Sequence, residues 1–371
     1  MTADLERFDF PRVEYRTARL TWPDGHIDGV PMYDGGFTQY GGIQGELCED
    51  TDPDLFGKIV VATSATRGDR RWTAPNARAH YEALAEQGVI GVVAPSGTTG
   101  ADDGPQVALR NAEHILTPFA LPVLQVAARD ARALASSLVL GGVEGTLEVD
   151  GERLKSRATN VVASVPGAEP DAGPVVVMTP KSGWFTCAAE RGGGIATWLA
   201  LADAVARARP RRTVHFVATS GHELHHRGLE AHLDARRPLP RQAVAWLHLG
   251  ASLGARYPQP RAGASDQALH ALATSALGQH ECETVAPVEF LDVGSPGSGE
   301  ARNIAERGGR YVTFLGGHRY FHSPQDTVDM AVDAENVARW ASAALDVLRG
   351  MIALPDPPPP PEADRPTERV R

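Results

Sequence analysis

Thr213–Leu229 reads TVHFVATSGHELHHRGL, and its first half alternates apolar residues at Val214, Phe216 and Ala218. That period is a strand entering a sheet, and Ser220-Gly221 is a turn signal, so the spacing predicts His222 and Glu223 at the strand's carboxyl end, opening a helix. In open α/β sheets this edge is where ligands bind. A carboxylate and three imidazoles, His222, His225 and His226, stand there, and such groups suit a borderline metal ion or proton transfer near neutral pH.

The chain around this stretch is long enough for two domains with proper cores: 371 residues, 42% hydrophobic, with 38 glycines. A net charge of -10, from 36 basic and 46 acidic residues, offers no basic face to phosphate backbones, so nucleic acid is not expected as a partner. No stretch approaches membrane-spanning length, and the N-terminus carries acids and no apolar core of signal-peptide length, so the expected location is the cytoplasm. Cys48, Cys187 and Cys282 are widely spaced and odd in number, which fits a reducing compartment rather than a disulfide framework. Cys48 and Cys282 read as buried small hydrophobes.

Outward from the central stretch, residues 1–30 hold short strands around Val13, Tyr15 and Leu20 that join the larger domain. GKIVVATS from Gly57 reads as a buried strand, Asn76 caps a helix through Glu86, Gly88 ends it, and VIGVVAP is the next strand. A Gly-, Asp- and Pro-rich loop, Ser96 to Pro105, precedes LPVLQVAARDARALASSLVLGG, a strand plus helix, and GTLEVDGER leads out as a strand. GKIVVATS, AEQGVIGVV and LPVLQVAARDARAL, in that order, resemble the protease-associated domain. The resemblance implies a small α/β lid or substrate-side wall over residues 31–157.

Thr159 to Gly167 restarts the chain with a strand and a turn, and the expected second domain covers 158–354. PVVVM at 174–178 is a buried strand; Ile195, Trp198, Leu199, Ala202 and Val205 recur at helical spacing after CAAERGGG; AVAWLHLG and GRYVTFLGG are strands. Asp333 caps a long amphipathic helix through Trp340, Ala344 and Leu348. From Pro355 the chain is a proline run with a charged tail to 371, a composition that buries no core. The predicted fold class is α/β, a mixed central sheet flanked by helices with a smaller α/β lid domain.

The order strand, CAAERGGGIA, strand, GHELHHRGL, strand, YFHSPQDTVD resembles the zinc aminopeptidase family that also contains glutamate carboxypeptidases and glutaminyl cyclases, over about residues 158–350. The resemblance implies a metal centre and assigns its positions. The first His falls on Thr179 and the Asp two places on falls on Lys181. The bridging Asp falls on Glu190, four residues before Gly194. Of the Glu-Glu pair, the general base falls on His222 and the ligand on Glu223, while the later Asp falls on Gly250 and the late His on His322. One metal position thus loses its own ligands, whereas Glu190, Glu223 and His322 remain as two oxygen donors and one imidazole, a set suited to a single zinc. Lys181 puts a positive charge where an ion used to be, as a partner for Glu190, and His222 takes the role of moving the proton. His248 is a spare candidate.

Other readings compete for the same residues. His222-Glu223-Leu224-His225-His226 satisfies H-E-x-x-H, with His232 at a third ligand's place, but that motif needs both His on consecutive turns of an established helix, and here a strand and Ser-Gly turn come immediately before. Cys187 or Ser182 as a nucleophile lacks a recognisable elbow. Glu190-Arg191-Gly192-Gly193-Gly194 lacks the Lys-Ser/Thr of a phosphate loop. The expectation is a divergent metallohydrolase or cyclase-type enzyme with at most one zinc, acting on a small amino-acid-derived amide. Two alternatives stand beside it: an inactive scaffold that binds a peptide or metabolite, and a metal-free enzyme that uses His222 and Lys181.

Overall fold

The computed structural model describes residues 1–67, 69–72, 77–96, 107–139 and 141–356. The expected helix cap at Asn76, nearly all of the loop Ser96 to Pro105, and the proline-rich tail past Asp356 lie outside the described residues.

Two strands organise the molecule, β1 (Thr2–Trp22) and, far along the chain, its antiparallel partner, which runs unbroken from Glu144 to Val165. The sequence reading divides both into shorter pieces. Their middles are half-exposed and polar, so no apolar alternation marks them, and it is the ladder from Thr2↔Ser164 to Thr21↔Thr146 that keeps them extended. A hairpin strand, β2 (Gly25–Asp28), folds back on the end of β1.

The smaller sheet contains β3 (Val30–Pro31), β4 (Ile43–Glu49), β5 (Ile59–Val61), β6 (Gly91–Ser96) and β7 (Val123–Ala127). β4 to β7 are parallel neighbours in that order, with β3 antiparallel at the far edge. Helix α1 (Ala77–Glu86) packs Tyr81 and Leu84 on one face of this sheet, and α2 (Ala128–Ser137) packs Ala131 and Leu134 on the other. Gly88, at φ +82°, takes the left-handed turn that follows α1.

In the larger sheet the long strand Glu144–Val165, here β8, is followed by β9 (Val175–Pro180), β10 (Val214–Thr219), β11 (Ala245–Leu249), β12 (Pro258–Ala264), β13 (Glu289–Phe290) and β14 (Tyr311–His318). The spatial order is β13-β12-β14-β11-β9-β10-β8. Its centre is parallel and its flanks, β8 against β10 and β12 against β14, are antiparallel, so the sheet is mixed as predicted. β8 pairs with β10 near its end and with β4 near its start, so the β1–β8 ribbon joins the two parts into one continuous sheet.

The central strands are apolar on both faces because both faces are covered. Val175, Val177, Phe216 and Leu247 meet Trp198 of α3 (Gly193–Ala208) and Trp340 of the last helix, Ala334–Ala353. Val176, Met178, Val217 and Trp246 meet Leu229 and Leu233 of α4 (Arg227–Ala235) on the other side. Asp333 caps the last helix through the Asn336 amide at 3.0 Å, as its position predicts. No helix among the described residues is long and apolar enough to cross a membrane.

Candidate functional site

The carboxyl ends of β9, β10 and β14 carry the candidate residues. After β10 the chain does not enter a helix at His222: residues 222–226 form a turn, with His225 and His226 at positive φ, and α4 starts only at Arg227. The turn is held from below by Asn160 of β8. Its Oδ1 accepts the Ser220 amide at 3.1 Å, and its Nδ2 donates to the Gly228 carbonyl at 2.8 Å. Gly228 is required here, since a Cβ would lie 2.3 Å from both Asn160 Oδ1 and the Ser220 carbonyl. His222 and His226 stack at 4.6 Å, but His226 bonds Asn303 and His232 bonds Glu6, so the H-E-x-x-H residues do not converge on one point.

Glu190 and Arg191 lie on a π-helical turn, Ala188–Gly192, entered through Cys187 at φ 42°. Such turns are rare and occur often at functional sites. Asp326 fixes this one, its carboxylate accepting the Ala189 and Glu190 amides at 2.7 and 3.0 Å.

Glu190, Glu223 and His322 do come together, and Arg191 stands among them. Its Nη2 lies 2.7 Å from Glu190 Oε1 and 2.7 Å from Glu223 Oε1, and its Nε donates to the Ser182 carbonyl at 2.7 Å. The side chains of Glu190, Arg191 and Glu223 are 0%, 2% and 5% exposed, so the ion pairs are sealed from water. His322 Nε2 faces Glu190 Oε1 at 3.1 Å while its Nδ1 faces the Leu109 carbonyl at 2.8 Å. Both ring nitrogens therefore face oxygen atoms.

Burial is the largest single influence on Glu190 and raises its pKa, but the Arg191 charge and the His322 bond and charge together outweigh it and hold the carboxyl below its ordinary value. For Glu223 the same opposition, with Arg191 ahead of His222 and Ser182, brings the pKa down to about 2. Burial disfavours the charged form of Arg191 too, yet Glu190 and Glu223 together hold it more firmly protonated than usual. Ser182, considered as a nucleophile from the sequence, serves as a strut: its Oγ donates to Glu223 Oε2 at 2.7 Å and accepts the Gly221 amide at 2.9 Å.

The cation paired with Glu190 is thus Arg191 and not Lys181, which donates to Ser220 Oγ at 2.7 Å. Lys181 follows β9 at the parallel register of the β10 end, and its backbone amide is tied to the Thr219 carbonyl. Thr179 donates to the Leu249 carbonyl at 2.8 Å, and Gly250 supplies no side chain. Among the described residues no three His, Cys, Asp or Glu side chains are arranged to hold a metal ion. These residues do not fit the single zinc that the resemblance implies, because a guanidinium fills the space between its two carboxylate ligands.

Sequence reasoning also missed a second buried group. Glu300 accepts from Thr219 Oγ1 at 2.8 Å and lies 3.4 Å from His222 Nδ1, and burial raises its pKa. No motif surrounds it in SPGSGEARN. Burial, then Arg191, pushes His222 down to about 4, and burial pushes His248, bonded to Thr313, down to about 3. Cys187 is raised to about 11 by burial, which leaves the thiol unreactive near neutral pH.

The segment between β6 and β7 reaches across this edge. Leu109 N donates to the His322 carbonyl at 3.0 Å, Ala112 N donates to the Glu223 carbonyl at 2.7 Å, and Asn111 accepts from the Trp184 indole at 3.3 Å. An open groove of about 690 Å³ lies elsewhere, between the start of β1 and the end of α4, lined by Asp4, His215, His232 and Arg236.

The architecture matches solved structures of zinc exopeptidases. It superposes on a peptidase M28 precursor from Shewanella amazonensis with a TM-score of 0.75 and 16% identity, covering 97% of this chain and 86% of that one. A zinc aminopeptidase from Bacillus subtilis gives 0.68 at 14% identity, over 94% and 84% of the two chains. An aminopeptidase from an Aneurinibacillus species gives 0.65 at 14% identity, over 94% and 83%. The likeness shows the M28 zinc-exopeptidase fold. The sequence matches no family profile and no curated protein.

Proposed function

We propose that this chain uses the zinc-exopeptidase fold without zinc hydrolysis, as a binding protein for a peptide or a small amino-acid derivative. The observation that carries this reading is the Arg191 guanidinium, 2.7 Å from each of the two carboxylates, Glu190 and Glu223, that match the family's ligand positions. The position that matches the family's general base holds His222, and the positions of the other ion's ligands hold Thr179 and Gly250. What is left beside the cluster is binding chemistry: the half-buried Lys181 ammonium and the His222 ring. The test is hydrolysis of a panel of aminoacyl-4-nitroanilides, with and without added zinc, alongside calorimetric titration of the same amino acids and short peptides. Binding without turnover is expected. Zinc-dependent turnover abolished in Glu223→Ala would sink the reading.

One observation favours a second reading, chemistry without a metal. Glu300 lies 3.4 Å from His222 Nδ1 and is itself held by Thr219, which places a carboxylate beside an imidazole, the pair of groups proton transfer uses. Turnover that survives a chelator and disappears in His222→Ala would support it.

A further inference from the structure

We propose that Arg191 is a tethered replacement for the metal cation, and that removing it turns the cluster back into a zinc site. The inference rests on the same centre as the proposed function but concerns what holds that centre together. Two carboxylates buried side by side repel each other and need a positive charge between them. In a metal centre the ion supplies it; here a side chain from the residue next to Glu190 does, reaching Glu223 across 32 positions of sequence.

Two features argue for a cation standing in a ligand set rather than for a complete hydrogen-bond network. Glu190 Oε2 is buried without a hydrogen-bond partner, and so is Arg191 Nη1. Buried polar atoms are ordinarily satisfied, so the guanidinium neutralises the carboxylates without matching their geometry. His322, the third ligand type, keeps its Nδ1 on a backbone carbonyl and its Nε2 turned into the cluster, the orientation of an imidazole fixed from behind for a ligand in front. A point charge on a flexible stem would serve differently: Arg191 is anchored by its Nε to the Ser182 carbonyl, which leaves Nη2 to meet both acids.

His322 and Glu223, whose side chains contact Glu190 and Arg191, also hold the 109–112 segment through their backbone carbonyls.

The experiment compares wild-type protein with Arg191→Ala, each stripped with chelator and then titrated with zinc, read by metal content and thermal unfolding. Wild type is expected to retain no zinc and to keep its Tm on zinc addition. Arg191→Ala is expected to unfold about 10 °C lower and to recover most of that loss on taking up about one zinc. Adding His322→Ala to that variant is expected to abolish the recovery. If Arg191→Ala does not fold, the triple variant Arg191→Met with Glu190→Gln and Glu223→Gln, which removes all three charges, is expected to fold. Its failure to do so overturns the inference. Zinc bound by wild type and lost in His322→Ala overturns it, and so does an Arg191→Ala protein that is as stable as wild type and takes up no zinc. Zinc-free wild type that hydrolyses anilides would defeat the proposed function and leave this inference standing.

Discussion

Replacing Glu6 with Gln isolates one buried charge that ties the β1 arm to the turn before His222. Glu6 accepts from Asn160 Nδ2 at 3.0 Å and His232 Nδ1 at 2.9 Å and pairs with Arg236, with its own side chain 16% exposed. Burial by itself raises its pKa, but the bonds from His232, Asn160 and Arg236 outweigh it and bring the value from 4.5 down to about 2. At about 1.4 kcal/mol for each tenfold change in acidity, that difference is worth roughly 3 kcal/mol at neutral pH. The folded pKa lies below the unfolded one, so the contribution is complete above pH 4.5 and is lost as the pH falls toward 2. Urea unfolding of wild type and Glu6→Gln at pH 7, 5, 4 and 3 should show a gap of roughly 3 kcal/mol at pH 7 that narrows steadily below pH 4.5. Amide exchange at Ser220 should quicken in the variant, because Asn160, which sits under that turn, exchanges a carboxylate acceptor for a weaker amide oxygen. A gap that does not change with pH, or one under about 1 kcal/mol at pH 7, would refute the reasoning.

His248 and His222 are both kept neutral by burial, at about 3 and about 4, so the unfolded chain takes up their protons first as pH falls below 6.5. Stability should fall between pH 6.5 and 4 with up to about 1.4 kcal/mol per pH unit from each ring, and His248→Asn should remove one ring's share in acid-unfolding curves. Gly228→Ala should cost roughly 1–3 kcal/mol in denaturant unfolding, because its Cβ meets Asn160 Oδ1 and the Ser220 carbonyl at 2.3 Å; an unchanged midpoint would count against the role given to Asn160. Ala112→Pro removes the N–H that bonds the Glu223 carbonyl at 2.7 Å. Trypsin should then cleave after Arg110 several-fold faster than in wild type, and an equal rate would show that this bond does not hold the segment.

Much of the molecule was legible in the chain itself. The strands Val175–Pro180, Val214–Thr219 and Ala245–Leu249 are announced by short apolar runs, and the Asp333 cap by its place before an amphipathic period, because these signals depend on neighbours within a turn or two. The order of the motifs was enough to expect Glu190, Glu223 and His322 in one place. Which cation stands among them was not legible. Lys181 and Arg191 both lie within ten residues of Glu190, and only the π-helical turn, pinned by Asp326, aims Arg191 inward while Lys181 goes to Ser220. The half-exposed ribbon of β1 and β8 and the crossing of Leu109 to Ala112 over the site were hidden for a related reason. Both are held by backbone hydrogen bonds between segments up to 213 positions apart, and such bonds leave no pattern in side-chain type.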